Sequence, residues 1–412
     1  MKCLSFVGSG NLHETNYCWE GECCRTSIVQ EALFQFFPVD EVVLFTTEGA
    51  AATNYPMVAG RVPGCRKVGI PDGRNEEELW EIFRIICDEV QPGDEILFDI
   101  THGFRSLPFV AFLTMAYLRD TKKVRICRVV YGAYEARDET GTPIFDLTGF
   151  VSILDWFAAV RSFVEHVDAT YLRDLLAGIQ AEEHRQRGDG EPPTHLASWS
   201  KRLQNFTAAV RLSRPVDALS AARDIFGGLD SVGEEIAAFV PALDPVMDRI
   251  SDLNRLAAAP PDPQRGPDWG HVERQLRLIE YQVEKGLYLQ AATLAREWMV
   301  TTLIVRFGDA APDWLDRECR SVVERTLAGG AKKQWMECFE PTELSSRFET
   351  LEGWDEMAAT WDGVTGLRND LAHCGMSREA SRVASLERRA KGLPERLREF
   401  FTANAPPDHG AE

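Results

Sequence analysis

The chain has 412 residues, and a scale of about 150 residues per domain predicts two or three domains. Hydrophobic residues make up 44% and charged residues 26%, which excludes disorder over most of the length. The net charge of −19 excludes a protein that coats nucleic acid with its whole surface, though not one with a local basic site. The ten cysteines form no CxxC pair, and Cys23-Cys24 has no histidine cluster at ligand spacing. Reduced thiols are therefore expected, with neither a disulfide framework nor a metal site. Met1 to Gly8 reads as a first strand, not a signal peptide. The longest nearly apolar run, Leu107 to Leu118, is too short to cross a bilayer, so a cytoplasmic protein with no membrane partner is expected.

Strand-like runs fall at Cys3–Val7, Glu41–Thr46, Glu95–Ile100 and Val124–Tyr131, with an edge strand near Ile144–Leu147. Between them, apolar residues at helical spacing predict helices over Thr26–Phe37, Glu76–Val90 and Phe104–Leu118. Such alternation predicts a parallel sheet with helices on both faces. From Val151 onward only helical patterns remain: Val151–Gln186, Leu196–Leu212, Val216–Phe226 and Val232–Ala257. Ala257–Gly270 carries four prolines and reads as a linker. Further helices are expected over His271–Phe307, Asp313–Leu327, Trp354–Gly375 and Arg378–Phe401. The fold class is thus α/β plus all-α. It divides into residues 1–150, a helical connector over 151–270, a helical domain over 271–402 and a disordered tail over 403–412.

Three constellations carry chemistry. Gly8-Ser9-Gly10-Asn11 begins like a dinucleotide fingerprint, but His13 stands where the third glycine belongs and the next helix starts late. It is either a plain tight turn or a loop whose amides approach a phosphate. Asp99-Ile100-Thr101-His102-Gly103-Phe104-Arg105-Ser106 follows a buried strand, at the edge where open α/β sheets bind ligands. Hydroxyls, a guanidinium and helix-start amides there suit a phosphate-bearing ligand, and a set of turn caps is the bland alternative. Arg368, Asn369 and His373 form the third. A histidine moves protons near neutral pH and an arginine steadies a phosphorane, which is the chemistry of ribonucleolysis. The spacing alone is weak, since Arg161 and His166 share it, and from the residues alone a helix-start ion pair with a structural histidine is the favoured reading. The run Arg378–Glu399, with seven basic against four acidic residues, reads as an RNA-receiving surface or a solvated face.

Asp99-Ile100-Thr101-His102-Gly103, with Phe6-Val7-Gly8-Ser9-Gly10-Asn11 and Val29-Gln30-Glu31-Ala32-Leu33, resembles the CRISPR-associated DxTHG-motif family of ancillary ribonucleases in type III systems. The resemblance implies a Rossmann-like CARF sensor domain that binds cyclic oligoadenylate through Gly8, Ser9, Gly10, Asn11, Thr101, His102, Gly103, Phe104, Arg105 and Ser106. Arg368-Asn369-x3-His373 resembles the HEPN ribonuclease motif, which implies Arg368, Asn369 and His373 as catalytic residues. Ala291–Glu297 resembles the preceding helix of that domain, with Glu297 as a candidate to orient Arg368. The implied device is a homodimer. Cyclic oligoadenylate bound across two sensors activates a composite site that cuts single-stranded RNA without metal or other cofactor. Cyclic tetra-adenylate is the expected activator and the hexamer the runner-up. Slow degradation of the ring by the sensor, near Thr101, His102 and Ser9, is a smaller possibility. A non-enzymatic sensor or transcriptional regulator is the alternative reading.

Overall fold

The computed structural model describes residues 1–102, 107–186, 192–237, 244–261, 266–308, 313–376, 378 and 380–406. The chain forms two compact units, Met1–Asp155 and Trp156–Glu412.

The first unit holds eight strands: β1 Lys2–Val7, β2 Thr15–Trp19, β3 Glu22–Thr26, β4 Glu41–Thr46, β5 Cys65–Gly69, β6 Glu95–Asp99, β7 Arg125–Gly132 and β8 Thr142–Asp146. Its helices are α1 Val29–Phe36, α2 Glu48–Thr53, α3 Tyr55–Arg61, α4 Glu76–Asp88 and α5 Leu107–Lys122, and α6 Thr148–His166 runs across the boundary. The sheet order is β3-β2-β8-β7-β6-β1-β4-β5. The five strands from β7 to β5 are parallel. Among the described residues, only β2–β3 and β7–β8 pair antiparallel.

Central strands β1 and β4 are almost wholly buried, as their unbroken apolar runs require of a sheet covered on both faces. Alternate residues build two cores. Leu4, Phe6, Phe45, Ile96 and Phe98 pack under Ile82 and Ile86 of α4 and Ala111 and Met115 of α5. Cys3, Val7, Leu44 and Leu97 pack under Ala32 and Leu33 of α1 and Val58 of α3. Asn75 caps α4 by accepting from the Glu78 amide at 2.9 Å, and Glu76, Glu77 and Glu78 complement the helix dipole.

The second unit is helical: α7 Thr170–Gln186, α8 Leu196–Arg211, α9 Pro215–Phe226, α10 Leu229–Ala237, α11 Asp244–Ser251, α12 Trp269–Glu284, α13 Tyr288–Phe307, α14 Arg317–Gln334, α15 Ser345–Glu349, α16 Trp354–Ala372, α17 Val383–Lys391 and α18 Leu393–Asn404. Two of its buried tryptophans satisfy their indole N–H, Trp199 to the Ile225 carbonyl at 2.9 Å and Trp298 to that of Val272 at 2.8 Å. α16 packs on both α13 and α14.

The α/β-then-α class follows the sequence reading, but several elements differ. Residues 22–26 form β3 of a hairpin, so the helix expected from Thr26 begins at Val29. Glu20 and Gly21 turn that hairpin with φ of 48° and 87°, the left-handed pair a two-residue turn needs. The helix expected over Val151–Gln186 breaks at Val167, whose φ is 51°. The expectation of reduced thiols is corrected at one pair. Cys18 and Cys23 are direct cross-strand partners, with Cα atoms 4.2 Å apart, and form a disulfide. Among the described residues, no helix is long and apolar enough to cross a membrane. Parts of the expected loop, linker and tail, at 187–191, 262–265 and 407–412, lie outside the described residues.

Candidate functional site

The strand order reverses at β1: the chain moves from β1 to β4 and β5 on one side, then returns to β6 and β7 on the other. The carboxyl ends of β1 and β6 therefore flank a topological switch point, where a crevice opens for ligands. The loop Gly8–Asn11 leaves β1 there, and Ile100–His102 leaves β6. Two of the sequence-predicted groups thus come together. Ser9, Gly10 and Asn11 are exposed, while Gly8, Thr101 and His102 are half-buried. Gly103, Phe104, Arg105 and Ser106 lie outside the described residues.

Beneath this edge runs a buried polar chain. Gln30 of α1 donates through Nε2 to Ser5 Oγ at 2.8 Å and to the Phe6 carbonyl at 3.1 Å. Ser5 donates to Asp99 Oδ2 at 2.5 Å. Thr101 donates to Asp99 Oδ1 through its hydroxyl at 2.5 Å and its amide at 3.0 Å. The Gly132 amide, in turn, donates to Thr101 Oγ1 at 2.8 Å. Four elements, α1, β1, β6 and β7, are tied through one carboxyl group. Burial pushes that carboxyl above its ordinary value, against the opposing hydrogen bonds of Ser5 and Thr101. Burial also lowers His102, opposed by the charge of Asp99, and its Nε2 is buried with no partner among the described residues. A Cβ on Gly132 would lie 2.8 Å from Tyr17 Cε1 and 3.2 Å from Thr101 Cγ2, so only glycine fits there.

Sequence reasoning passed over four residues at this edge. Ser5 and Gln30 are polar residues inside apolar patterns, a signal that could have marked them. Asn54, between α2 and α3, donates to the carbonyls of Gly8 at 2.7 Å and Gly10 at 2.8 Å. Its sequence context of Ala, Thr and Tyr carries no such signal. Tyr134 stacks with His13 at 5.8 Å and lies under Arg137 at 4.2 Å, offering an aromatic face beside the loop.

The third group lies in the helical unit. Arg368 and Asn369 occupy the last turns of α16, and His373 is its C-cap, its amide donating to the Asn369 carbonyl at 2.9 Å. Cys374 and Gly375 follow with φ of 54° and 72°, which turns the chain away and leaves His373 exposed. Arg368 donates from Nη1 to Asn369 Oδ1 at 3.1 Å, while its Nε is buried without a partner among the described residues. Asp370 accepts from Arg389 of α17 at 2.5 Å and from Ser381 at 3.1 Å. The Arg389 hydrogen bond, above all, holds its carboxyl below the usual range.

Glu297 makes its ion pairs with Arg296 and Arg320, each at 2.7 Å. Arg161, the arginine of the matching spacing, is taken up by Glu165 at 2.8 Å. In the basic run, Arg389, Lys391 and Arg398 bind carboxylates, and Arg396 donates to the Ala359 carbonyl at 2.9 Å. Arg382 and Arg388 are exposed and make no ion pair among the described residues. Nor do the described residues contain a cluster of three or more His, Cys, Asp or Glu side chains able to hold a metal ion.

No protein-family model matches the chain. A CRISPR-associated protein of Methanocaldococcus jannaschii is 24% identical over 182 residues, 43% of this chain. The match spans 27% of that protein's own length. Csm6 of Enterococcus italicus, solved bound to cyclic hexa-2'-fluoro-hexa-dAMP, superposes over 98% of this chain and 94% of its own with a TM-score of 0.46 and 12% identity. Over those 182 residues the chain is thus similar to a protein described as CRISPR-associated.

Proposed function

We propose that the chain is a ribonuclease switched on by cyclic oligoadenylate. The first unit is read as a CARF sensor and the second as carrying a HEPN nuclease. The observation that carries this is the meeting of Gly8–Asn11 and Ile100–His102 at the switch point between β1 and β6. The position of Asp99, Thr101 and His102 of the DxTHG motif at this edge supports the reading. Sequence similarity to a CRISPR-associated protein supports the same reading.

In this reading two copies place their switch-point edges against one cyclic oligoadenylate, most simply the tetramer. The nuclease site is composite, built from Arg368, Asn369 and His373 of both copies. The ribose 2′-oxygen attacks the adjacent phosphorus, and the bond to the 5′-oxygen breaks. One imidazole takes the 2′-proton and another returns a proton to the leaving oxygen. The guanidinium of Arg368 neutralises the charge gathering on the phosphoryl oxygens. The products are a 2′,3′-cyclic phosphate and a 5′-hydroxyl. Exposure of His373 at a helix end and the unpartnered Nε of Arg368 both suit an arriving phosphate.

The test is cleavage of single-stranded RNA in EDTA, with and without cyclic tetra- and hexa-adenylate. Ring-dependent cutting by wild type, lost in His373→Ala, supports the reading. Ring binding with no RNA turnover assigns the chain to non-enzymatic sensors instead.

A further inference from the structure

The loop after β1 owes its shape to a residue far from it in sequence. Asn54 is only 8% exposed and sits where α2 ends and α3 begins. Its backbone is fixed at both sides, the amide donating to the Ala50 carbonyl at 3.0 Å and the carbonyl accepting from Val58 at 3.2 Å. Its side-chain amide nitrogen donates to two carbonyls at once, Gly8 and Gly10. Both partners are acceptors, so the nitrogen must face them.

A trans peptide points its carbonyl and its amide hydrogen to opposite sides. With the Gly8 and Gly10 carbonyls turned in to Asn54, the amides of Ser9 and Asn11 turn out. Among the described residues, nothing accepts the amide hydrogens of Ser9, Gly10 or Asn11. Outward amides two residues apart in a turn can converge on one anion. The space beside the loop is open, since a Cβ on Gly10 would meet nothing within 4 Å.

We infer that Asn54 is a positioning residue, which holds Gly8–Asn11 as a backbone anion nest for a phosphate of the activator. This rests on the ligand reading given above and adds the group that shapes its site. Asn54 touches no ligand itself, and its effect passes through the two carbonyls it holds. Asn54→Asp replaces the donor with an acceptor that repels both carbonyls. Asn54→Ala simply removes the donor.

The experiment measures binding of cyclic tetra- and hexa-adenylate to full-length wild type, Asn54→Asp and Asn54→Ala, with amide shifts of Ser9 and Asn11 followed by NMR. The expected result is that both amides shift in wild type on ring binding. Affinity then falls about tenfold in each variant, the worth of one or two hydrogen bonds. The two shifts shrink with it while melting temperature and distant shifts hold. Unmoved Ser9 and Asn11 amides in the ring-bound wild type overturn the inference, with no dependence on a variant's folding. Equal affinities across the three proteins also overturn it. A wild type that binds neither ring overturns the ring reading alone. Titration with inorganic pyrophosphate then decides the nest: shifts of those two amides support it, and their absence refutes it.

Discussion

The Ser5 hydroxyl on β1 donates to the Asp99 carboxyl on β6 across 2.5 Å, in a place sealed from solvent. Asp99 is raised above its ordinary value chiefly by burial. A carboxyl that titrates higher in the fold keeps its proton over a range where the unfolded chain has already lost it. Stability therefore falls as pH rises through that range, from the ordinary carboxylate value upward. Asp99→Asn keeps an acceptor for Thr101 and has no charge to bury. Thermal melts between about pH 4 and pH 8 are expected to show a smaller fall with pH for Asp99→Asn than for wild type. Asp99→Ala strands Ser5 and Thr101 and costs about 2–4 kcal/mol. An unchanged slope in Asp99→Asn would argue that the carboxyl is not the group responsible.

His373→Ala is expected to lower the single-turnover rate of RNA cleavage by about a hundredfold to ten-thousandfold, the usual worth of a proton-transfer group. Ring affinity should not change, because His373 lies in the other compact unit. Arg368→Lys keeps the charge and loses the planar fork, so its rate should fall between wild type and Arg368→Ala. Wild-type rates in all three variants would remove α16 from the chemistry.

Gly132→Ala tests the close packing at the end of β7. The added methyl would press on the Tyr17 ring and on Thr101. Overpacking of this kind costs about 1–3 kcal/mol and displaces the Thr101 hydroxyl from the Gly132 amide. Urea denaturation and ring binding should both weaken. A variant as stable as wild type, with full ring affinity, would mean that the Tyr17 ring moves aside freely.

Alkylation of denatured, unreduced protein should label the eight free cysteines. After reduction it should label all ten in the sequence. Reduction, or Cys18→Ser, is expected to cost about 2 kcal/mol, because the bond closes only a short hairpin. Ten labelled thiols before reduction would show the hairpin pair to be open.

Much of the architecture was legible because central strands such as Glu41–Thr46 are continuous apolar runs, and α4 shows a clear apolar stripe behind an Asn75 cap. Edge strands were not legible, because β5, Cys65–Gly69, is half polar and exposes Arg66 and Lys67 on its two faces. Hairpin β2–β3 was hidden by Glu20, which takes a left-handed turn conformation without being glycine, asparagine or aspartate. The ligand edge was readable from its motifs, but its supports were not. Gln30 reaches Phe6 of β1 from 24 residues away and Asn54 reaches Gly10 of the loop from 44, separations that no local pattern records. At α16 the motif was legible only through the family resemblance, and the engagement of Glu297 by Arg320 depends on how α13 and α14 pack.

The Nε of Arg368 is a charged donor shut away from water with no acceptor among the described residues. Leaving such a donor unmatched costs about 1–3 kcal/mol. A rearrangement of the α16 end that opened this nitrogen to an oxyanion would relieve the mismatch. In the nuclease proposed above, part of the attraction for RNA would come from pairing this donor. Small oxyanions such as sulfate become natural competitors of the substrate.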